Sequence, residues 1–259
     1  MNQLVPDAFH NLKKTGKTNP AALDMIKLVA FLAMLLDHVN TVFLTPAQPV
    51  IYALGRMAFP LFTLIWAMNV QRSPERLQVR ANRLWLWAVI SQPVFSLAFL
   101  HHQPRWAMNI LFVFASVTQL LALQYRFSKK GCLAGGLLIA VMIFPLQPAS
   151  YGLAGITLAV SLSLVMGDTI PGMRRIAAFV AVLSLLCLNG VKYLLSMPAE
   201  TLLLATLPTL VFPLIAVCLC MDFCPQGHQR FMPRNFFCFA YAGHLGLICL
   251  IKFVFPDQR

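Results

Sequence analysis

The sequence predicts an all-α, polytopic membrane helix bundle of about nine spans, with its N-terminus cytoplasmic and its C-terminus on the opposite side. Three observations carry that prediction. The 259 residues are 59% hydrophobic and 11% charged, with a mean hydropathy of +0.74, far from the composition of a soluble domain. Apolar runs approaching the roughly 20 residues that cross a bilayer recur along the chain. The cationic residues between those runs alternate in density, as the positive-inside rule requires. Lys13, Lys14 and Lys17, then Arg72, Arg76, Arg80 and Arg83, then Arg126, Lys129 and Lys130, then Arg174 and Arg175, then Arg230 and Arg234 fall on one side. The alternate loops hold Arg105, Lys192 near a helix end, and the closing Lys252 and Arg259.

Taken in order, the expected spans are residues 24–44, 50–70, 84–100, 107–125, 132–146, 151–166, 176–195, 201–221 and 236–255. The polar segment 1–22 precedes a single membrane domain, 23–259. The first apolar run is longer than a signal-peptide core and lacks a small-x-small cleavage site, so it reads as a retained span. The second carries Arg56, and the third follows Asn82 and Arg83 and contains Gln92. Asn109 opens the fourth span and Tyr151 the sixth. The fifth and sixth are short and rich in Gly and Pro, which predicts tilted or broken helices. Gly135–Gly136 and Gly152–Gly155 suit close helix approach. The last span carries Tyr241 and His244 one turn apart on one face.

Asp37 and His38 lie inside the first span, about two turns from its outer end, where an ionisable side chain costs roughly 2–3 kcal/mol on insertion scales. At about 1.5 Å per residue, His38 is some 9 Å below the outer surface, and Arg56 on the next span lies at a similar depth. His244 sits nearer the centre, and Gln92, Asn109 and Tyr151 add polar groups in the outer half. Asp37 with Arg56 also reads as a structural ion pair, and either histidine alone as an interhelical hydrogen bond. The full Asp/His/Arg/His/Tyr cluster fits two classes: an enzyme with a histidine general base, or a transporter with a proton relay.

The remaining features are blander. Seven cysteines lie mostly inside apolar runs; Cys220, Cys224 and His228 have loose metal-ligand spacing across a helix end, and small apolar filler is the better reading, so no metal is expected. Lys27, Asn69 and Lys192 read as snorkelling side chains. Trp66, Trp85, Trp87 and Trp106 read as interfacial belts. The +12 net charge follows from topology, since no aromatic-interleaved basic surface marks a nucleic-acid site. Asn82 and Arg83 also suit the phosphates of a cytosolic nucleotide-like donor.

Several stretches, in this order, resemble the TraX family of conjugation systems. They are LLDHVN at 35–40, which includes Asn40; LGRMAFPLF at 54–62, followed by Trp66 and Asn69; and NRLWLW at 82–87. Gln92, NILF at 109–112, SYGLAG at 150–155 and NFFCFAYAGHL at 235–245 complete the set. The resemblance runs over about 210 residues; the loops and the span near 195–221 match poorly. It implies a multi-pass protein of the bacterial inner membrane, with a periplasmic C-terminus. It implies an acetyltransferase that moves acetyl from acetyl-CoA to the N-terminal α-amine of a pilin subunit, distantly similar to multispanning acyltransferases. In that setting His38, oriented by Asp37, is the expected general base, with Arg56 or a water as the other partner open to Asp37. His244, supported by Tyr241, is expected to polarise the thioester carbonyl, and Arg56 to stabilise developing negative charge. Asn40, Asn82, Arg83, Gln92, Asn109 and Tyr151 are the expected substrate- and donor-binding residues. The alternative is a transporter or proton-coupled export factor in pilus assembly.

Overall fold

In a computed structural model of the chain, which describes residues 20–224, 229–233 and 236–255, every regular element is helical. The helices are α1 (Pro20–Phe43), α2 (Pro49–Gly55), α3 (Ala58–Val70), α4 (Leu77–Ala98), α5 (Leu111–Leu146), α6 (Gly152–Met166), α7 (Pro171–Cys187), α8 (Val191–Ser196), α9 (Pro198–Thr201), α10 (Leu207–Phe223) and α11 (Phe236–Val254). Pro49, Pro171 and Pro198 start α2, α7 and α9, where a missing N–H costs nothing and φ is already helical. Lys13, Lys14, Lys17, His228, Arg234, Asn235, Arg259, the side chain of Lys192 and most of segment 1–22 lie outside the described residues.

Among the described residues, four helical segments are long and apolar enough to cross a membrane, fewer than the nine expected: Pro49–Val70, Leu111–Leu146, Pro198–Phe223 and Phe236–Val254. The shortfall has physical causes. The 15 residues of α6 and 17 of α7 are shorter than a bilayer core at about 1.5 Å per residue. The 22 residues of α4 carry Gln78, Arg80, Asn82 and Arg83 in their first two turns. The 24 residues of α1 have the length, but include Asp24, Lys27 and Asp37.

One of the four is a hairpin. Helix α5 turns back at Ser128, whose φ of 50° and ψ of −124° leave the helical region. A Cβ on Gly131 would strike the Leu123 carbonyl, and one on Gly135 would lie 2.8 Å from Leu120 Cα. The Met108 N–H donates to the Pro145 carbonyl at 2.9 Å, joining the far ends of the two arms. The fourth and fifth expected spans are therefore antiparallel arms in contact, and Gly135 provides the close approach predicted for it; nothing lies within 4 Å of a Cβ on Gly136.

The helices group into two units, and the boundary crosses α1 between Asp37 and His38. The first unit contains α1 up to Asp37, Gln48–Arg72 and Val160–Pro233. Here α10 packs against α2, α3 and α7, and the π-helical turn Leu202–Thr206 against α2 and α9. Nearly all of α3 is buried, including Trp66 at 9% exposure. Trp66 is thus a core residue, a correction to the interfacial reading: its ring is covered by protein on a helix apolar all round.

The second unit contains His38–Ala47, Ser73–Ala159 and the described residues from 236. In it α4 packs on α5 and α11. Small residues Ala81, Ala88 and Ser91 are fully covered on α4, so the backbones approach closely where lipid supplies no hydrophobic drive between helices. Trp85 meets Phe112 at 5.7 Å and Trp87 meets Phe239 at 4.8 Å between ring centroids. Lys252 donates to the Ala98 carbonyl at 3.1 Å, placing a cation at the negative end of α4.

Candidate functional site

In the first unit the structure brings Asp37 and Arg56 together. Helix α2 ends at Gly55, and Arg56 occupies the break before α3. Gly55 is buried against α1, where an added Cβ would come within 2.6 Å of Asp37 Cβ. That contact explains the glycine, since any side chain would push Asp37 away. The Arg56 guanidinium donates to Asp37 Oδ1 and sits 4.3 Å over the Tyr52 ring. Charge pairing and the ring's negative face both hold the cation, and the pairing uses one of its five donors. This pair is one of the alternatives the sequence leaves open for Asp37, beside His38 and a water.

In the second unit, His38 Nδ1 and His244 Nε2 are 2.8 Å apart. The ring planes are 19° apart with centroids at 5.0 Å. With so short an N···N contact this is an edge-to-edge arrangement, the geometry of a hydrogen bond rather than a face-to-face stack. Which nitrogen carries the proton follows from the next contact. His244 Nδ1 lies 3.0 Å from the Ala240 carbonyl oxygen, which accepts only, so Nδ1 is the protonated nitrogen. The neutral His244 ring then presents a lone pair at Nε2. His38 donates its Nδ1–H to it, and His38 Nε2 becomes the basic nitrogen. The hydrogen-bond partners assign these tautomers.

Around this pair, Phe99 meets His38 edge-on at 5.0 Å and Tyr241 meets His244 at 5.4 Å, ring centre to ring centre. Tyr241 and His244 are both buried, and the Ile110 backbone bonds Tyr241. Asn40 is fully covered one half-turn beyond His38. The partner the geometry gives His38 is thus His244, while Asp37 pairs with Arg56. Adjacent helix residues point about 100° apart, so neighbours in sequence readily serve different partners.

Gln92 and Asn109, expected at a substrate site, bond to each other and to the backbone. Gln92 Oε1 accepts from Asn109 N at 3.0 Å and from Asn109 Nδ2 at 2.9 Å. Gln92 Nε2 donates to the Ala107 carbonyl at 2.8 Å, and Asn109 Nδ2 to the Ala88 carbonyl at 2.9 Å. Asn109 Oδ1 also receives the Leu111 N–H at the start of α5. This set fixes the 107–111 turn on α4 and is a positioning device. Asn82 and Arg83 are exposed on α4, and Asn82 Oδ1 accepts from Gln78. Tyr151 is half-buried just before α6 with φ of 63°, a conformation unusual for a non-glycine residue.

One cluster escaped the sequence reading. Asp24, fully buried, receives Lys27 Nζ at 2.8 Å on Oδ1 and the Met232 N–H at 3.1 Å on Oδ2. Arg230 Nε stands 3.6 Å from the same Oδ1. Lys27 is therefore an ion-paired residue, a correction to the snorkelling reading. The i, i+3 spacing of Asp24 and Lys27 was the available signal. The Ala240 carbonyl was missed because a backbone acceptor has no letter in the sequence.

The family model described as TraX protein matches residues 22–252. A protein of Escherichia coli called Protein TraX is 34% identical over 232 residues, covering 89% of this chain and 87% of its own. The protein of that name from Escherichia coli strain K12 shows the same identity and coverage. No solved structure matches. With a matching family model over most of its length and relatives of this identity, the chain belongs to the TraX family.

Proposed function

We propose that the protein is a membrane-embedded acetyltransferase of the bacterial inner membrane, acting in pilin maturation within a conjugation system. It takes acetyl from acetyl-CoA and places it on the N-terminal α-amine of a pilin subunit. The observation that carries the reading is the His38–His244 hydrogen bond, with its tautomer set by the Ala240 carbonyl.

Acetyl-CoA supplies the acetyl group already activated as a thioester. The chain's own residues handle the proton. An α-amine has a reference pKa near 8, so a modest base suffices. His38 Nε2 removes a proton as the amine nitrogen bonds to the acetyl carbon. His244 Nε2, accepting the Nδ1–H of His38, stabilises the imidazolium that forms. His38 then returns the proton to the departing thiolate, so the C–S bond is exchanged for a C–N bond and both histidines end neutral.

Intact-mass spectrometry of the co-expressed pilin tests the proposal. One added acetyl group is expected with the wild-type protein and none with His38→Ala. An unmodified pilin alongside folded wild-type protein would remove the acetyltransferase reading. The pair would also serve a proton-coupled export factor, for which proteoliposome uptake is the corresponding assay.

A further inference from the structure

A hydroxyl on a buried helix face has a ready acceptor in the carbonyl three or four residues back. Thr63, Ser116, Thr118, Ser163, Ser184 and Thr209 are buried, and each donates to that carbonyl of its own helix. Ser91 does not. It is fully covered on α4, and its Oγ has no hydrogen-bond partner. Among the described residues, the one other buried hydroxyl in that state is Thr206, at the end of the π-helical turn in the first unit. The Ala88 carbonyl, three residues before Ser91, is taken by Asn109 Nδ2. A buried hydroxyl left unspent is costly, so Ser91 is equipped for a partner from outside the fold.

Contacts on both sides of Ser91 show which way it faces. Trp87, Ser91, Val94 and Ala98 recur at intervals of four, three and four residues, which is one face of α4. Trp87 meets Phe239 at 4.8 Å between ring centroids. The Val94 carbonyl accepts from Cys249 Sγ at 3.4 Å and the Ala98 carbonyl from Lys252 Nζ at 3.1 Å. That face is turned to α11, and Ser91 is level with the stretch between Phe239 and Cys249, which contains His244. Gly246 lies on the Phe239–Cys249 side of α11, two residues from His244. It is half-buried, yet a Cβ there would meet nothing within 4 Å. Gly55, Gly131 and Gly135 are glycines because a Cβ would collide; Gly246 instead leaves open space.

We propose that Ser91 and Gly246 form a slot for the short acyl group that is transferred, with the Ser91 hydroxyl donating to its carbonyl oxygen. The inference rests on the acetyltransferase reading and supplies that reaction with a donor for the developing oxyanion. As the amine nitrogen bonds to the carbonyl carbon, an electron pair moves onto the oxygen, and the Ser91 hydrogen bond strengthens there. The pair returns as the C–S bond breaks, and Ser91 keeps its proton throughout. Space the size of one missing side chain suits a methyl group, so a two-carbon acyl group fits and a long chain does not.

Two measurements on the full-length protein in detergent test this. In the first, acetyl-CoA isotope-labelled at its carbonyl is added and the labelled infrared stretch is read. Wild-type protein is expected to lower that frequency, and Ser91→Ala to abolish the shift. In the second, turnover on the pilin is followed. Ser91→Ala is expected to lower kcat about a hundredfold. The thermal midpoint should not fall, because the hydroxyl removed had no partner. Gly246→Val should also slow turnover, whereas Gly243→Ala, which fills space on the exposed side of α11, should leave it unchanged. Folded Ser91→Ala protein with either the wild-type carbonyl frequency or the wild-type rate overturns the proposal. A Ser91-dependent shift beside a pilin that is never acetylated keeps the acyl slot and sinks the pilin reading. Acetylated pilin with no carbonyl shift in the wild type does the reverse.

Discussion

The Gln92–Asn109 cluster and the His38–His244 pair are both buried polar groups in the second unit, yet they differ in kind. Four hydrogen bonds join Gln92 and Asn109 to each other and to the Ala107 and Ala88 carbonyls, and a fifth caps α5. Neither side chain titrates, so the arrangement has one state. The histidines share one short contact, and each ring can still change its charge. The lesson is that a polar residue in an apolar bundle marks chemistry only when its bonding leaves a proton something to do. Fully spent amides lock backbone; coupled imidazoles relay charge.

That contrast breaks most sharply at His38. His38→Ala is expected to lower acetylation by at least a hundredfold, the ordinary worth of a general base, with a stability loss no larger than that of one buried hydrogen-bond partner, about 1–3 kcal/mol. Equal loss of activity and folding would put the pair in the same class as the amides. Asn109→Leu should behave in the opposite way. It leaves Gln92 Oε1 and the Ala88 carbonyl short of donors, a cost of about 1–3 kcal/mol. The midpoint should fall while the folded fraction turns over at the wild-type rate.

A finer test lies within the pair. In His244→Gln the amide oxygen still accepts the His38 Nδ1–H but holds no ring to share the charge. Turnover should fall about tenfold, with recovery relative to His244→Ala. If the two variants are equally inactive, His244 does more than orient His38 and contacts the acetyl group itself, as the sequence suggested. The smallest effect is expected from Lys252→Met, which removes the cation at the Ala98 carbonyl beside Phe99. Loss of that contact should cost about 0.5–1 kcal/mol in stability and little in rate.

Much of this was legible from residue types. Asp37 and Arg56 are level when residues are counted along the expected spans, and a structural ion pair is one of the readings that count allows; the structure shows that pair. Gly135 marks a close helix approach for the reason glycine usually does. Other features were beyond that kind of reading. His38 and His244 stand 206 positions apart, and depth arithmetic placed them in neighbouring layers without saying that their rings touch. Gln92 and Asn109 looked like candidate binding groups because the sequence names polar side chains and omits the backbone carbonyls that occupy them. Nine spans were expected because apolar runs were counted without regard to where helices begin, end or fold back.

The sequence by itself determined that this chain is a helical membrane protein of the TraX family and which few ionisable groups lie inside its apolar runs. The helical membrane character and the placing of those groups follow from composition and local hydropathy, which act over a few turns of chain; the family rests on ordered motifs such as LLDHVN and LGRMAFPLF and on the matching relatives. Only the tertiary structure decided the partners: Asp37 with Arg56, His38 with His244, Asp24 with Lys27 and Arg230. Hydrogen bonds reach about 3 Å, far less than the uncertainty left by helix rotation, so pairing depends on how each helix is turned, which packing fixes.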